Sequence, residues 1–217
     1  MSNRTNRTNR RTLAHARLGL VIAWLVVASL AAGCASLSNR RAGNIEVDPE
    51  RGFTITETTV AAPELQTTFD EALKLLRAGK NEEGIDLLEQ VVAVEPELTV
   101  AHINLGIAHA RNGDLDGAES SIRTAISLNP KHPVAHNELG IVYRKMGRFE
   151  KARSSYENAL DAYPDFHFAR RNLAVLCDVY LSDVKCAVKH YEIYAQLVPE
   201  DEAVAMWLAD LRNRMEK

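Results

Sequence analysis

From about Leu65 to the end of the chain, apolar residues recur three and four positions apart, in blocks of a dozen or so residues separated by glycine or proline. That period places them on one stripe of an α-helix, so each block predicts an amphipathic helix. The blocks also repeat one another. Gly79, Gly113 and Gly147 are 34 residues apart, as are Pro96, Pro130 and Pro164. Gly84, Ala118 and Ala152 keep the same interval, and so do Ala72, Gly106, Gly140 and Ala174. Four series in one register predict a stack of helical hairpins. The small residues let paired helices approach, the glycines end a first helix in a left-handed turn, and the prolines stop the second. Asp114, directly after Gly113, is placed to cap the following helix.

In 133–166, Leu139, Gly140, Tyr143, Gly147, Phe149, Ala152, Tyr156, Ala159 and Pro164 fall at the positions that mark the tetratricopeptide repeat (TPR), which this segment closely resembles. The usual tryptophan is replaced by His136, and by His102 one repeat earlier. The resemblance implies an all-α TPR solenoid of about four repeats (65–98, 99–132, 133–166 and 167–201) with a capping helix over 202–217. The fourth repeat has 35 residues, and the extra one is expected in the turn near Leu181-Ser182-Asp183. In the cap, Met206, Trp207 and Leu211 are expected to close the core. Family resemblance also assigns positions 2, 5, 9 and 12 of each repeat to a concave groove. Those positions hold Val100, Ile103, Ile107, Val134, Ile141, Phe168 and Val175, with Asn137, Arg144 and Arg171 towards one end. An apolar stripe beyond the core face points to an apolar peptide or helix as ligand. The positions that grip a C-terminal carboxylate in some TPRs hold Phe69, Leu73, Val134 and Glu138 here, with Asn104 alone matching.

The pattern ahead of the repeats is different. Met1–Arg17 is polar and basic, and Leu18–Gly33 is a run of 16 uncharged, mostly apolar residues. That is shorter than the roughly 20 residues needed to cross a bilayer, and it reads as an export signal over 1–33. The run ends Leu30-Ala31-Ala32-Gly33-Cys34, which resembles a bacterial lipobox and implies lipidation of Cys34. Ala35, in place of aspartate, favours an outer-membrane destination facing the periplasm. An uncleaved signal anchor is the alternative. Residues 34–62 lack a helical period and read as a flexible tether, in which Phe53–Val60 is β-prone and suits either an extended linker or a strand that pairs with a partner's sheet.

Charge refines this picture. The first 34 residues hold five arginines and no acid, leaving 21 basic and 29 acidic residues in the remainder. An acidic body excludes nucleic acid as the expected partner. Cys177 and Cys186 flank the last turn, where a periplasmic disulfide is one reading and two packing thiols another. The histidines lack metal-ligand spacing, and no phosphate loop or nucleophile motif stands out, so neither a metal, a cofactor nor catalysis is expected. Expected function is that of a lipid-anchored TPR scaffold or adaptor in envelope assembly, resembling pilotins or adaptors for peptidoglycan enzymes, with a protein or peptide partner in the groove. A self-associating structural protein is the alternative, as is a periplasmic accessory of an energy-transducing or motor complex.

Overall fold

The computed structural model describes the backbone of residues 44–48 and 52–56, and the structure of residues 63–216. The signal segment and Cys34 lie outside the described residues. Within the expected tether, β1 (Asn44–Asp48) and β2 (Gly52–Thr56) pair as an antiparallel hairpin, with Ile45 opposite Ile55 and Val47 opposite Phe53.

The helices follow the sequence blocks. They are α1 (Pro63–Arg77), α2 (Asn81–Val94), α3 (Thr99–Asn112), α4 (Leu115–Leu128), α5 (Pro133–Lys145), α6 (Phe149–Ala162), α7 (His167–Val175), α8 (Val184–Leu197) and α9 (Ala203–Met215). Each odd-numbered helix from α1 to α7 pairs with its successor, and α9 packs on α8. The first helices also meet one another, α3 with α5 and α5 with α7. This is a TPR solenoid with a terminal helix.

The recurring small residues sit where helices nearly touch. A Cβ built on Gly140 would lie 2.5 Å from the Tyr156 ring, so glycine there admits the aromatic side chain of the opposite helix. Gly79, Gly113 and Gly147 all have positive φ and end the first helices of their repeats. Asp114 accepts from the Gly117 amide at 2.9 Å, capping α4.

Position 4, where tryptophan is usual, carries a polar latch instead. His102 Nε2 meets the Pro96 carbonyl at 2.9 Å, and His136 Nε2 meets the Pro130 carbonyl at 2.8 Å. Arg170 makes the equivalent bond to the Pro164 carbonyl. Each tether runs from a first helix to the proline that ended the preceding repeat. Among the described residues, Thr68, at position 4 of the first repeat, bonds only within its own helix, to Glu64 O.

The last repeat differs from the sequence expectation. Its extra residue is not accommodated in the turn at 181–183 but upstream, in a π-turn over Leu176–Tyr180 that continues α7. Leu173 and Ala174 keep the 34-residue spacing from Leu139 and Gly140, whereas Ser182 stands 35 residues after Gly147. A π-turn holds one more residue than an α-turn, so buried residues on both sides keep their faces. Ser182, at φ 53°, takes the left-handed position that glycine fills in the other repeats. Asp183 then caps α8 by accepting from the Cys186 amide at 3.1 Å.

Two core clusters result. Leu65, Phe69, Leu76, Leu88, Val91 and Leu105 belong to one, spanning α1 to α3. The other runs from Ile103 through Ile122, Tyr156, Leu173 and Tyr191 to Leu208 and Leu211. At the cap, Val204, Leu208 and Leu211 are buried and Trp207 packs half-buried against Tyr191. Met206 departs from expectation: it is 69% exposed and closes no core.

Candidate functional site

The concave positions come from α3, α5 and α7, whose mutual contact brings equivalent residues side by side. Val100, Ile107, Val134, Ile141 and Val175 are half-buried, and Ile103 is buried. Inter-helix packing therefore takes up much of the aliphatic stripe, because neighbouring first helices cover part of each side chain. At the C-terminal end the face opens. Phe168 is 59% exposed, its ring 4.1 Å from that of His167, and Arg171 is exposed with its guanidinium 5.5 Å from the Trp207 ring centroid.

Polar groups thread this surface. Asn137 is buried; its Oδ1 accepts from Asn172 Nδ2 at 2.9 Å and its Nδ2 donates to Glu138 Oε1 at 3.0 Å. Burial raises the Glu138 carboxyl above the usual range, opposed by Asn137 and by the charges of Arg111 and Lys145. Asn104 turns back to its own helix, donating to Val100 O at 2.8 Å. Beside this chain, Arg144 Nη1 donates to Tyr180 OH at 3.3 Å, with its guanidinium 5.7 Å from that ring's centroid. Tyr180 rests in turn on Phe149, ring centroids 4.9 Å apart. The hydroxyl of Tyr156, a fully buried residue, lies against the Arg144 guanidinium. Burial pushes it up to about 12, opposed by the Arg144 guanidinium beside it. For Arg144 itself, burial disfavours the charge, but Tyr156 and Tyr180 outweigh it.

Tyr156 and Tyr180 were not picked out from sequence as groove residues. Tyr156 is a signature core position, and its hydroxyl is buried with its ring. Tyr180 lies beyond the inserted residue, where repeat numbering no longer matches position.

Cys177 and Cys186 are joined by a disulfide, with Cα atoms 5.8 Å apart. Their donor atoms and those of Asp183 lie within 4.8 Å of one another, but the sulfurs are bonded to each other. Arg153 Nη2 bonds Asp183 Oδ2 at 3.0 Å beside this bridge. In the preceding repeat the corresponding pair is Tyr143 and Lys151, the ammonium 5.5 Å from the ring centroid. The covalent bridge thus replaces a cation–π contact across the same turn.

The fold is a TPR-like helical-repeat solenoid. A tetratricopeptide-repeat family model matches residues 96–165. No curated protein matches the chain in sequence at a significant level. Among solved structures, MamA from Desulfovibrio magneticus RS-1 is 21% identical with TM-score 0.63, the match covering 72% of this chain and 88% of that one. A thermophilic TPR protein of Thermus thermophilus is 22% identical with TM-score 0.61, covering 69% and 81%. PilF of Pseudomonas aeruginosa is 19% identical with TM-score 0.64, covering 70% and 69%. At these identities the likeness establishes the fold.

Proposed function

We propose that this protein is a lipid-anchored adaptor of the bacterial envelope that binds a protein or peptide partner along the concave face of its repeats. The observation that carries the reading is the opening of that face at α7, where Phe168 is exposed beside a half-buried aliphatic wall. An exposed aromatic side chain at the mouth of an apolar wall is what a docking peptide covers. The export signal and lipobox-like Leu30–Cys34 support attachment at an outer membrane, facing the periplasm. Placement of an envelope machine, as a pilotin does, or presentation of a peptidoglycan enzyme fits the same architecture.

Photo-cross-linking in intact cells tests the binding face. A cross-linker at Ile107 or Phe168 is expected to trap one defined partner, and one at the outward Ser127 is not. Equal trapping from both faces would refute the assignment. Labelling with a palmitate analogue tests the anchor: label is expected on the wild type and lost in Cys34→Ala.

A further inference from the structure

The third repeat closes its hairpin with Tyr143 against Lys151 and no covalent bond, so the Cys177–Cys186 bridge is not what the hairpin itself requires. We propose that this bridge is a thiol–disulfide exchange site. A dithiol opens it by attack on Cys186, and its opening frees the Leu176–Tyr180 π-turn, with Tyr180, from α5 and α6. This goes beyond the adaptor reading and does not depend on it.

The two sulfurs differ in access. Cys177, in the π-turn, is fully buried, whereas Cys186, in the first turn of α8, is half-buried. A thiolate arriving from solvent therefore reaches Cys186. Exchange is faster when the sulfur that leaves is stabilised as a thiolate. Arg153 Nη2 lies 3.9 Å from Cys177 Sγ, a cation beside the sulfur that attack on Cys186 expels. Burial of Cys177 opposes that charge, and so does the nearby Asp183 carboxylate. Asp183 is itself answered, by the Cys186 amide at 3.1 Å and by Arg153 Nη2 at 3.0 Å, which hold its carboxyl below the usual range.

The chemistry is two displacements. A thiolate of the dithiol bonds to Cys186 Sγ, the S–S bond breaks, and its electron pair leaves on Cys177 Sγ, which then takes a proton. The second thiol, its proton lost to solvent, attacks the dithiol's own sulfur in that mixed disulfide. Cys186 departs as a thiolate beside the positive end of α8 and is protonated in turn. The dithiol loses two electrons and two protons, and the bridge gains both.

The turn is the part that responds. It leads into Ser182 at φ 53°, a conformation that favours glycine. Its backbone is fastened by Leu181 N to the Leu176 carbonyl at 3.1 Å and by Asp183 N to the Cys177 carbonyl at 2.8 Å, and Asp178 is paired with Arg214 at 2.7 Å. Val179 and Tyr180 are exposed, so little burial holds them. Tyr180 nevertheless rests on Phe149 and accepts from Arg144, a groove position. The bridge therefore fixes one edge of the concave face by pinning the turn to α8.

The test uses the full chain in detergent micelles, with peptide mapping by mass spectrometry to tell Cys177 and Cys186 from Cys34. Reduced glutathione serves as a monothiol probe, followed by an alkylating quench. Glutathione is expected on Cys186 and the alkyl group on Cys177, about tenfold over the reverse. Dithiothreitol is expected to open the bridge without urea. Arg153→Gln is expected to slow that opening about threefold to tenfold, Arg153→Lys to restore the rate, and Lys189→Gln to leave it unchanged. Circular dichroism verifies that each variant is folded. In the opened wild type, hydrogen exchange at the Leu181 and Asp183 amides is expected to quicken about tenfold while the interior of α5 keeps its protection. The position of glutathione and the exchange rates are read in the wild type, so they decide whether or not Arg153→Gln folds. A bridge that opens only in urea overturns the inference. So does glutathione found equally on both cysteines, an opening rate indifferent to Arg153→Gln in folded protein, or unchanged exchange at Leu181 and Asp183.

Discussion

Individual residues decide how closely these helices pack. Gly140 faces the Tyr156 ring at a distance that leaves no room for a methyl group. Gly140→Ala is therefore expected to cost about 1–3 kcal/mol, read as a lower urea midpoint, because Tyr156 is fully buried and has little space to retreat. Ser182 presents the opposite case. Its left-handed backbone strains a side chain that glycine would avoid, so Ser182→Gly is expected to stabilise by about 0.5–1 kcal/mol, the relief of strain exceeding glycine's added unfolded-state entropy. A midpoint that falls would show that the Ser182 side chain contributes something its backbone conceals. Sequence reading found Gly140 through its recurrence at a fixed interval. It did not find the role of Tyr180, because an inserted residue shifts the helix face without leaving a mark in composition.

At the level of the element, the unusual feature is the polar latch at the start of each first helix after the first repeat. Repeat spacing revealed that His102 and His136 stand where tryptophan is customary, yet offered no reason. The reason is spatial: position 4 lies over the carbonyl of the proline that closes the preceding repeat, and an imidazole reaches it. His136→Ala is expected to cost about 1 kcal/mol, since it removes that bond without opening a large cavity. The bridge in the last hairpin acts by chain entropy. Reduction under non-denaturing conditions is expected to lower stability by about 2–3 kcal/mol, given the nine-residue separation of Cys177 and Cys186. A thermal scan with and without reductant measures it, and an unchanged midpoint would indicate that residual order in the reduced unfolded chain offsets the constraint.

For the molecule as a whole, buried histidines set the response to acid. His132 is held down to about 4, first by burial and then by the charge of His136. His190 is also near 4, from burial and then Arg170, Lys189 and Arg153. Both lie below the ordinary histidine value, so the unfolded chain binds protons that the folded one refuses. Stability is fully present above about pH 6.5 and is lost as pH falls towards 4. Between pH 7 and pH 5 the loss is expected to be about 2 kcal/mol per histidine. His132→Asn, which preserves an acceptor for the cap bond to Ala135, is expected to flatten that slope in urea titrations at the two pH values. The architecture at this scale was legible: period, helix order and terminal lid all follow from the recurring glycines, alanines and prolines. The π-turn of the last repeat was not, because one added residue changes the helix face without changing the composition that marks the helix.

The latches have a mechanical consequence. A load entering through the residues before Pro63 meets the first repeat, whose position-4 Thr68 bonds, among the described residues, only within its own helix and whose core extends no further than α3. Every later repeat is tied backward to its neighbour, and the last is closed covalently. Pulling from that end would peel α1 and α2 away first, lengthening the molecule at low force while the concave face and its stapled end stayed folded. The first repeat would then lengthen under load before the rest of the stack does.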